Sequence, residues 1–276
     1  SVCVSFIFCC LIFLPLVDNL FLASDKKNTG RVNLVSRPEF VLTKSLDFPS
    51  QYDKYLLNNF YLRDSLIGWN SYIKVKYFKV SPVPSVVLGK KGWLFLGGEH
   101  TNIKDAECKI PFSEDQLTII KNNLEQRKRW LERLNTRYYI VVVPNKETIY
   151  SEFLPDSVKK INGKTRLDQV IEYLNKNSDV KIIDLREDLT KAKIKERVYF
   201  KADTHWNDCG AFIGYQKLIN TIRNDFQQIK PLEIADFTIQ HKDDVLADIS
   251  AMLSLKDMFK GVSPYFIPNF KTRQKD

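Results

Sequence analysis

An aspartate and a histidine two positions apart carry the strongest chemical signal in this sequence. Asp203 and His205 follow the apolar run at residues 198–200, and the whole chain contains only three histidines. A carboxylate beside an imidazole fixes the tautomer of the ring and stabilises the imidazolium that forms, which is the base half of a nucleophilic triad. The spacing predicts that His205 is a general base and that Asp203 orients it. A histidine satisfied in a helix-capping turn beside Asp203 is the alternative that the residues alone leave open.

Further polar and aromatic side chains follow an earlier apolar run, residues 138–143, which Pro144 ends. Ligands of open α/β sheets bind beyond the carboxyl ends of the strands, so both loops are expected to face one crevice. Asn145 and Lys146 are candidate donors to a substrate or a developing oxyanion, or else form a strand-end turn with Lys146 in solvent. Tyr150 and Trp206 are candidates for lining a sugar site, with core packing as the alternative.

A metal site is not expected. An Asp-x-His pair can supply two ligands, but a hydrolytic metal centre normally needs further histidine or carboxylate ligands in a recognisable arrangement. The two other histidines, His100 and His241, lie in unrelated polar surroundings.

Short apolar runs alternate with amphipathic stretches along the chain, which predicts a three-layer α/β sandwich. Its sheet is expected to be mostly parallel, because residues 138–143 are typical of a strand buried on both faces. Asp248 is expected to cap a helix that runs towards residue 255. The predicted strands are residues 86–88, 93–96, 138–143, 180–185 and 198–200, the first two joined as a hairpin, and the predicted helices are residues 56–78, 115–135, 166–175 and 211–224.

The N-terminal segment predicts export. Residues 1–17 carry no charge, and a bilayer-spanning helix needs about 20 apolar residues. We therefore expect residues 1–22 to be a signal peptide or an uncleaved inner-membrane anchor, residues 23–55 a linker, and residues 56–276 the folded domain of a periplasmic, exported or anchored protein. In that compartment Cys108 and Cys209 are either joined by a disulfide or present as two thiols.

The net charge of +9 is spread along the chain without a long basic run or an aromatic-basic repeat. This pattern argues against a nucleic-acid partner. A basic surface of this kind favours an anionic polysaccharide or an anionic membrane face.

Five sequence blocks resemble those of the alginate O-acetyltransferase family. The blocks are Phe60-Tyr61-Leu62-Arg63-Asp64-Ser65-Leu66-Ile67, Gly89-Lys90-Lys91-Gly92-Trp93-Leu94-Phe95-Leu96, Val142-Val143-Pro144-Asn145-Lys146-Glu147-Thr148-Ile149-Tyr150, Asp203-Thr204-His205-Trp206-Asn207 and Ala247-Asp248-Ile249-Ser250-Ala251-Met252-Leu253. Ala247 stands where that family usually has glycine. The order and spacing of the blocks imply a domain with an SGNH-hydrolase-like fold.

The resemblance implies acetyl transfer to sugar hydroxyls of an exopolysaccharide through an acyl-serine intermediate, without a cofactor. It implies a polysaccharide acceptor and a membrane-bound O-acyltransferase that donates the acetyl group. In that family the nucleophilic serine belongs to a downstream Gly-Asp-Ser block, and this sequence contains none. We therefore expect a chain truncated before its nucleophile. The alternatives are a catalytically inactive glycan-binding or scaffold protein and an exported carbohydrate esterase.

Overall fold

The computed structural model describes residues 2–21, 35–60, 62–98, 102–159, 163–245 and 247–271. The chain divides into two units, Ser1–Ile73 and Lys74–Asp276. In the described residues of the first unit, the α-helices are α1 (Val2–Phe21), α2 (Phe48–Asn59) and α3 (Arg63–Ile73). Within the described ranges, no helix combines the length and the apolarity that a membrane crossing requires. The assignment of residues 1–22 as an anchor or signal segment, and the domain boundaries drawn from the sequence, remain predictions.

The second unit contains six strands and seven α-helices in its described residues. In chain order these are β1 (Val86–Leu88), β2 (Leu94–Leu96), α4 (Asn102–Ala106), α5 (Glu114–Arg133), β3 (Ile140–Val142), α6 (Lys146–Ile149), α7 (Arg166–Asn177), β4 (Ile182–Asp184), α8 (Arg186–Ala192), α9 (Asp208–Ile222), β5 (Phe237–Asp243), α10 (Asp248–Met252) and β6 (Val262–Pro268). Helices α5, α7 and α9 match the predicted ones within a few residues. Residues 56–78 do not form one helix, since α2 ends at Asn59 and α3 begins at Arg63.

The strands pair two by two. β1 and β2 form the predicted antiparallel hairpin, in which Val86 lies opposite Leu96. β3 and β4 are parallel, with Ile140 opposite Ile182. β5 and β6 form a longer antiparallel hairpin.

The prediction of a mostly parallel sheet is not confirmed, because only β3 and β4 pair in parallel among the described strands. Residues 198–200 form a single bridge between Tyr199 and Trp206 where a strand was predicted. The backbone groups of this segment are used in another way. The amide of Val198 donates to the hydroxyl of Tyr150, and the carbonyl of Phe200 accepts from the ammonium group of Lys146.

The core of the second unit is an apolar cluster beneath the segment that carries Asp203. Its members include Trp93, Phe95, Ile149, Tyr150, Leu185, Leu189, Val198 and Tyr199. The residues of β3 are only half-buried, so the expectation that this strand is buried on both faces was wrong. Trp93 packs face to face with Phe153, with 5.0 Å between ring centroids. The cluster therefore supplies a rigid base for the turn that follows residue 200.

Candidate active site

The structure brings the predicted pair together. His205 Nδ1 lies 2.7 Å from Asp203 Oδ1, and the backbone amide of His205 donates to the same oxygen at 3.0 Å. The Asp203 side chain is 2% exposed, whereas the His205 side chain is 66% exposed. A carboxylate only accepts hydrogen bonds, so it selects the tautomer with the proton on Nδ1. The second ring nitrogen, Nε2, is thus left for a reacting group.

Asp203 is held as a carboxylate by its hydrogen bonds. Burial alone would raise the pKa of Asp203, but the backbone amides of Asp248 and His205 and the His205 ring donate to it and hold its pKa below the usual value. The Asp248 amide reaches Oδ2 at 2.7 Å. Both carboxylate oxygens are therefore engaged, and the buried charge is compensated.

Asp248 completes the site and was assigned a different role from the sequence. The prediction that it caps a helix was wrong: Ala247 is the N-cap residue of α10, and no side-chain cap bond forms there. The Asp248 carboxylate instead accepts from the amide of Thr204 at 2.8 Å and from the Thr204 hydroxyl. It lies 3.9 Å from His205 Nδ1. The sequence could have indicated a role for Asp248 in the site, because Asp248 belongs to one of the five resembling blocks.

The turn at residues 203–207 is fixed at its far end by the start of α9. Asn207 is the N-cap residue, and its side chain accepts from the Gly210 amide at 3.1 Å and donates to the Arg197 carbonyl at 2.7 Å. An added Cβ on Gly210 would lie 2.2 Å from the Val198 carbonyl oxygen. Glycine is thus required where the helix approaches residue 198.

Lys146 lies beneath this turn and not in solvent. Its side chain is 2% exposed, and its Nζ lies 2.6 Å from the carbonyl oxygen of Asp203. Burial lowers the pKa of Lys146 to about 8, against the opposing effects of Glu147, Asp248 and Asp203. We expected the Lys146 ammonium group to contact substrate or water. It instead donates to a backbone carbonyl of the site.

The other predicted lining residues divide into exposed and packed ones. Asn145 is exposed at the start of α6 and makes no side-chain cap bond. Tyr150 is 4% exposed, and its ring centroid lies 4.2 Å from that of Trp93; burial raises the pKa of Tyr150 to about 12. Trp206 is half-buried against the core cluster. Of these three residues, only Asn145 is exposed.

Three of these side chains also have the composition of a cation site. Asp203, His205 and Asp248 each bring one ligand atom within 4.8 Å of the others. Hydrogen bonds from Thr204, His205 and the Asp248 amide already engage the two carboxylates. These bonds explain the arrangement without an ion, and the expectation of no metal remains a prediction. His100, set aside in the same argument, lies outside the described residues.

Two serine hydroxyls downstream of His205, those of Ser250 and Ser263, are engaged away from the His205 ring. The Ser250 hydroxyl donates to the Ala247 carbonyl at 3.2 Å, and the Ser263 hydroxyl accepts from Arg197 at 2.7 Å. Both side chains are fully buried. Cys108 and Cys209 are not joined by a disulfide.

A basic cavity of about 480 Å³ lies beside Lys201, two residues before Asp203. Five lysines line it together with the Trp93 ring: Lys76, Lys79, Lys91, Lys201 and Lys260. Of the described residues that line the cavity, none is acidic. Sequence reasoning missed this site because its lysines come from separate segments and form no run.

This chain is assigned to the class of SGNH hydrolase-like proteins. The family model for the SGNH hydrolase-like domain of the acetyltransferase AlgX matches residues 86–276. The chain belongs to this AlgX family of acetyltransferase domains, which confirms the resemblance inferred from the sequence blocks.

Curated relatives are similar at low identity. The probable alginate O-acetylase AlgJ of Pseudomonas syringae pv. tomato is 28% identical over 135 residues, which cover 49% of this chain and 32% of that protein. The probable alginate O-acetylase AlgJ of Pseudomonas aeruginosa is 25% identical over 182 residues, which cover 66% of this chain and 44% of that protein. The chain thus spans less than half the length of these relatives.

Two solved structures each match about two thirds of this chain. The O-acetyltransferase domain of Pseudomonas putida AlgJ is 18% identical with a TM-score of 0.46, and the overlap covers 68% of this chain and 66% of that one. Bacillus cereus PatB1 with a sulfonyl adduct is 24% identical with a TM-score of 0.44, covering 66% and 57%. The family assignment rests on the family model.

Proposed function

We propose that this chain carries the base half of an O-acetyltransferase site that modifies an extracellular polysaccharide. The observation that carries the proposal is the buried Asp203 carboxylate on Nδ1 of an exposed His205. This arrangement leaves Nε2 with a lone pair, which is what a general base requires. Membership of an acetyltransferase family supports acetyl as the transferred group.

The proposed reaction has two steps, acylation of a serine and transfer of the acetyl group to a sugar hydroxyl. A serine Oγ attacks the carbonyl carbon of the acetyl donor, its proton passes to His205 Nε2, and the leaving group departs with that proton. The sugar hydroxyl then attacks the acyl-serine carbonyl, gives its proton to Nε2, and Nε2 returns a proton to the serine oxygen. The resemblance assigns the serine to a Gly-Asp-Ser block, which is not among residues 1–276. Asp203 stabilises the imidazolium in both steps.

Substrate contacts are proposed for the exposed side of the site. Asn145 is the candidate donor to the acetyl carbonyl. The lysines of the basic cavity support an acceptor that carries negative charges, because closely placed ammonium groups raise the local concentration of anions. For Lys146, Tyr150 and Trp206, burial and packing support roles in holding the site and not in contacting the sugar.

We also propose the cellular setting that the sequence predicts. The uncharged run at residues 1–17 supports export to the periplasm or attachment to the inner membrane. A membrane-bound O-acyltransferase is the proposed acetyl donor.

One assay separates the proposal from its alternatives. The intact gene product is incubated with an activated acetyl ester and a polysaccharide acceptor, and acetylated glycan and free acetate are both measured. Acetylated glycan is the expected product. Acetate alone would indicate an esterase. Glycan binding with neither product would indicate the inactive binding protein, for which the lysine-lined cavity offers a binding surface.

A further inference from the structure

The ammonium group of Lys146 is surrounded by backbone carbonyl oxygens from one short segment. Nζ lies 3.3 Å from the carbonyl oxygens of Phe200 and Lys201, and 2.6 Å from that of Asp203. An ammonium group has three N–H donors. The three carbonyls therefore account for all of them.

The three carbonyls point towards one atom, Lys146 Nζ. In an extended chain, successive carbonyls would point to opposite sides. The remaining carbonyl of the segment, that of Ala202, accepts from the Ser250 amide at 3.2 Å. Residues 200–203 thus turn around the Lys146 Nζ, and every carbonyl of the turn has a donor. The same turn presents the Asp203 side chain to His205.

Two aromatic rings beside Lys146 favour its positive charge at this position. Its Nζ lies 5.3 Å from the centroid of the Phe95 ring and 5.8 Å from that of Trp93. A cation over aromatic faces gains electrostatic energy that offsets part of its dehydration. The charged groups that act on Lys146 are Glu147, Asp248, Asp203 and Arg197.

We propose that Lys146 is a positioning residue that fixes the turn at residues 200–203 and so holds the Asp203 carboxylate against the His205 ring. Removal of the ammonium group leaves the carbonyls of Phe200 and Asp203 without this donor, while the Lys201 carbonyl keeps the Leu94 amide at 3.1 Å. The turn then relaxes and the Asp203–His205 hydrogen bond lengthens. The catalytic meaning of this role rests on the proposed function. The structural claim is tested without it.

The test is proton NMR of the hydrogen-bonded Nδ1 proton of His205. Asp203→Asn identifies the resonance, because it removes the accepting charge. In Lys146→Met the resonance should be lost or shifted towards that of a free imidazole. Lys193→Met is the matched control: Lys193 is also largely buried and donates to the Ile149 carbonyl and to Glu152, but not to the turn. An unchanged His205 resonance in folded Lys146→Met would overturn the inference.

A second measurement on the wild-type chain keeps the inference testable if Lys146→Met does not fold. Amine acetylation at pH 8 is followed residue by residue by mass spectrometry. Lys146 should react at least about tenfold more slowly than the exposed Lys230, because its amine is released only when the turn opens. Equal rates would overturn the enclosed position of Nζ. Neither measurement involves acetyl transfer to a glycan, so an intact pair without transfer would contradict only the proposed function.

Discussion

The Asp203 carboxylate accepts the backbone amide of Asp248, with 2.7 Å between Oδ2 and the amide nitrogen. In return, the Asp248 carboxylate accepts the amide of Thr204, the residue that follows Asp203. The two aspartates lie 45 positions apart in sequence. This reciprocal hydrogen bonding joins α10 to the turn that carries the candidate base. We therefore expect a substitution at Asp248 to disturb the turn as well as α10.

Asp248→Ala should weaken both the fold and the site. The Thr204 amide and hydroxyl lose their acceptor, and an unsatisfied donor of this kind costs about 1–3 kcal/mol. Urea unfolding should report a free energy of unfolding lower by about 1–2 kcal/mol, and the acetyl-transfer rate should fall with it. The exposed Asp257, which pairs with Lys260, provides the control. If Asp257→Ala and Asp248→Ala have the same effects, the reciprocal bonding contributes nothing specific.

Lys146 should give the chain a distinctive dependence of stability on pH. Its pKa is about 8 in the folded chain against a usual 10.5, so between these values the unfolded chain binds a proton that the folded chain does not. The free energy of unfolding therefore rises with pH across this interval, by about 1.5 kcal/mol between pH 8 and 9.5 relative to Lys146→Met. Urea unfolding at the two pH values measures the difference.

The control for that experiment is Lys193→Met, which retains Lys146 and should keep the wild-type rise. A rise of equal size in Lys146→Met would show that other groups produce it. The buried ammonium group would then not be the source.

The basic cavity should bind anionic glycans through its lysines. Lys79→Glu combined with Lys201→Glu reverses two of the five lining charges. Affinity for a uronate polymer, measured by calorimetric titration at low salt, should fall at least about tenfold, and added salt should weaken wild-type binding because it screens these charges. A double variant that binds like wild type would contradict the assignment. Lys230→Glu combined with Lys242→Glu, at two exposed positions outside the cavity, makes the same change in net charge and should have little effect.

Local patterns were sufficient to predict part of this structure. The β1–β2 hairpin is encoded by two apolar runs around the Gly89–Gly92 turn, and both partners are adjacent in sequence. The Asp203–His205 contact is also local, since two intervening peptide units bring the side chains within reach. Helix α9 begins where Asn207 supplies an N-cap.

Long-range contacts explain what the sequence did not reveal. A lysine after a strand is usually solvated, and only the folded chain shows that Lys146 meets carbonyls more than 50 positions away. The same applies to Asp248, whose partner Thr204 lies 44 positions away. Residues 198–200 have the composition of a strand, but their backbone groups bond to Tyr150 and Lys146. Propensity cannot anticipate such competition.

The most direct measurement compares two histidines in the acetyl-transfer assay with the intact gene product. His205 and His241 both lie 2.7 Å from a carboxylate oxygen and are both exposed, but the partner of His241 is Glu196, outside the site. We predict that His205→Ala lowers the transfer rate by about 10²–10⁴-fold, the usual contribution of a general base, while His241→Ala keeps the wild-type rate. Wild-type transfer by a folded His205→Ala variant would contradict the account.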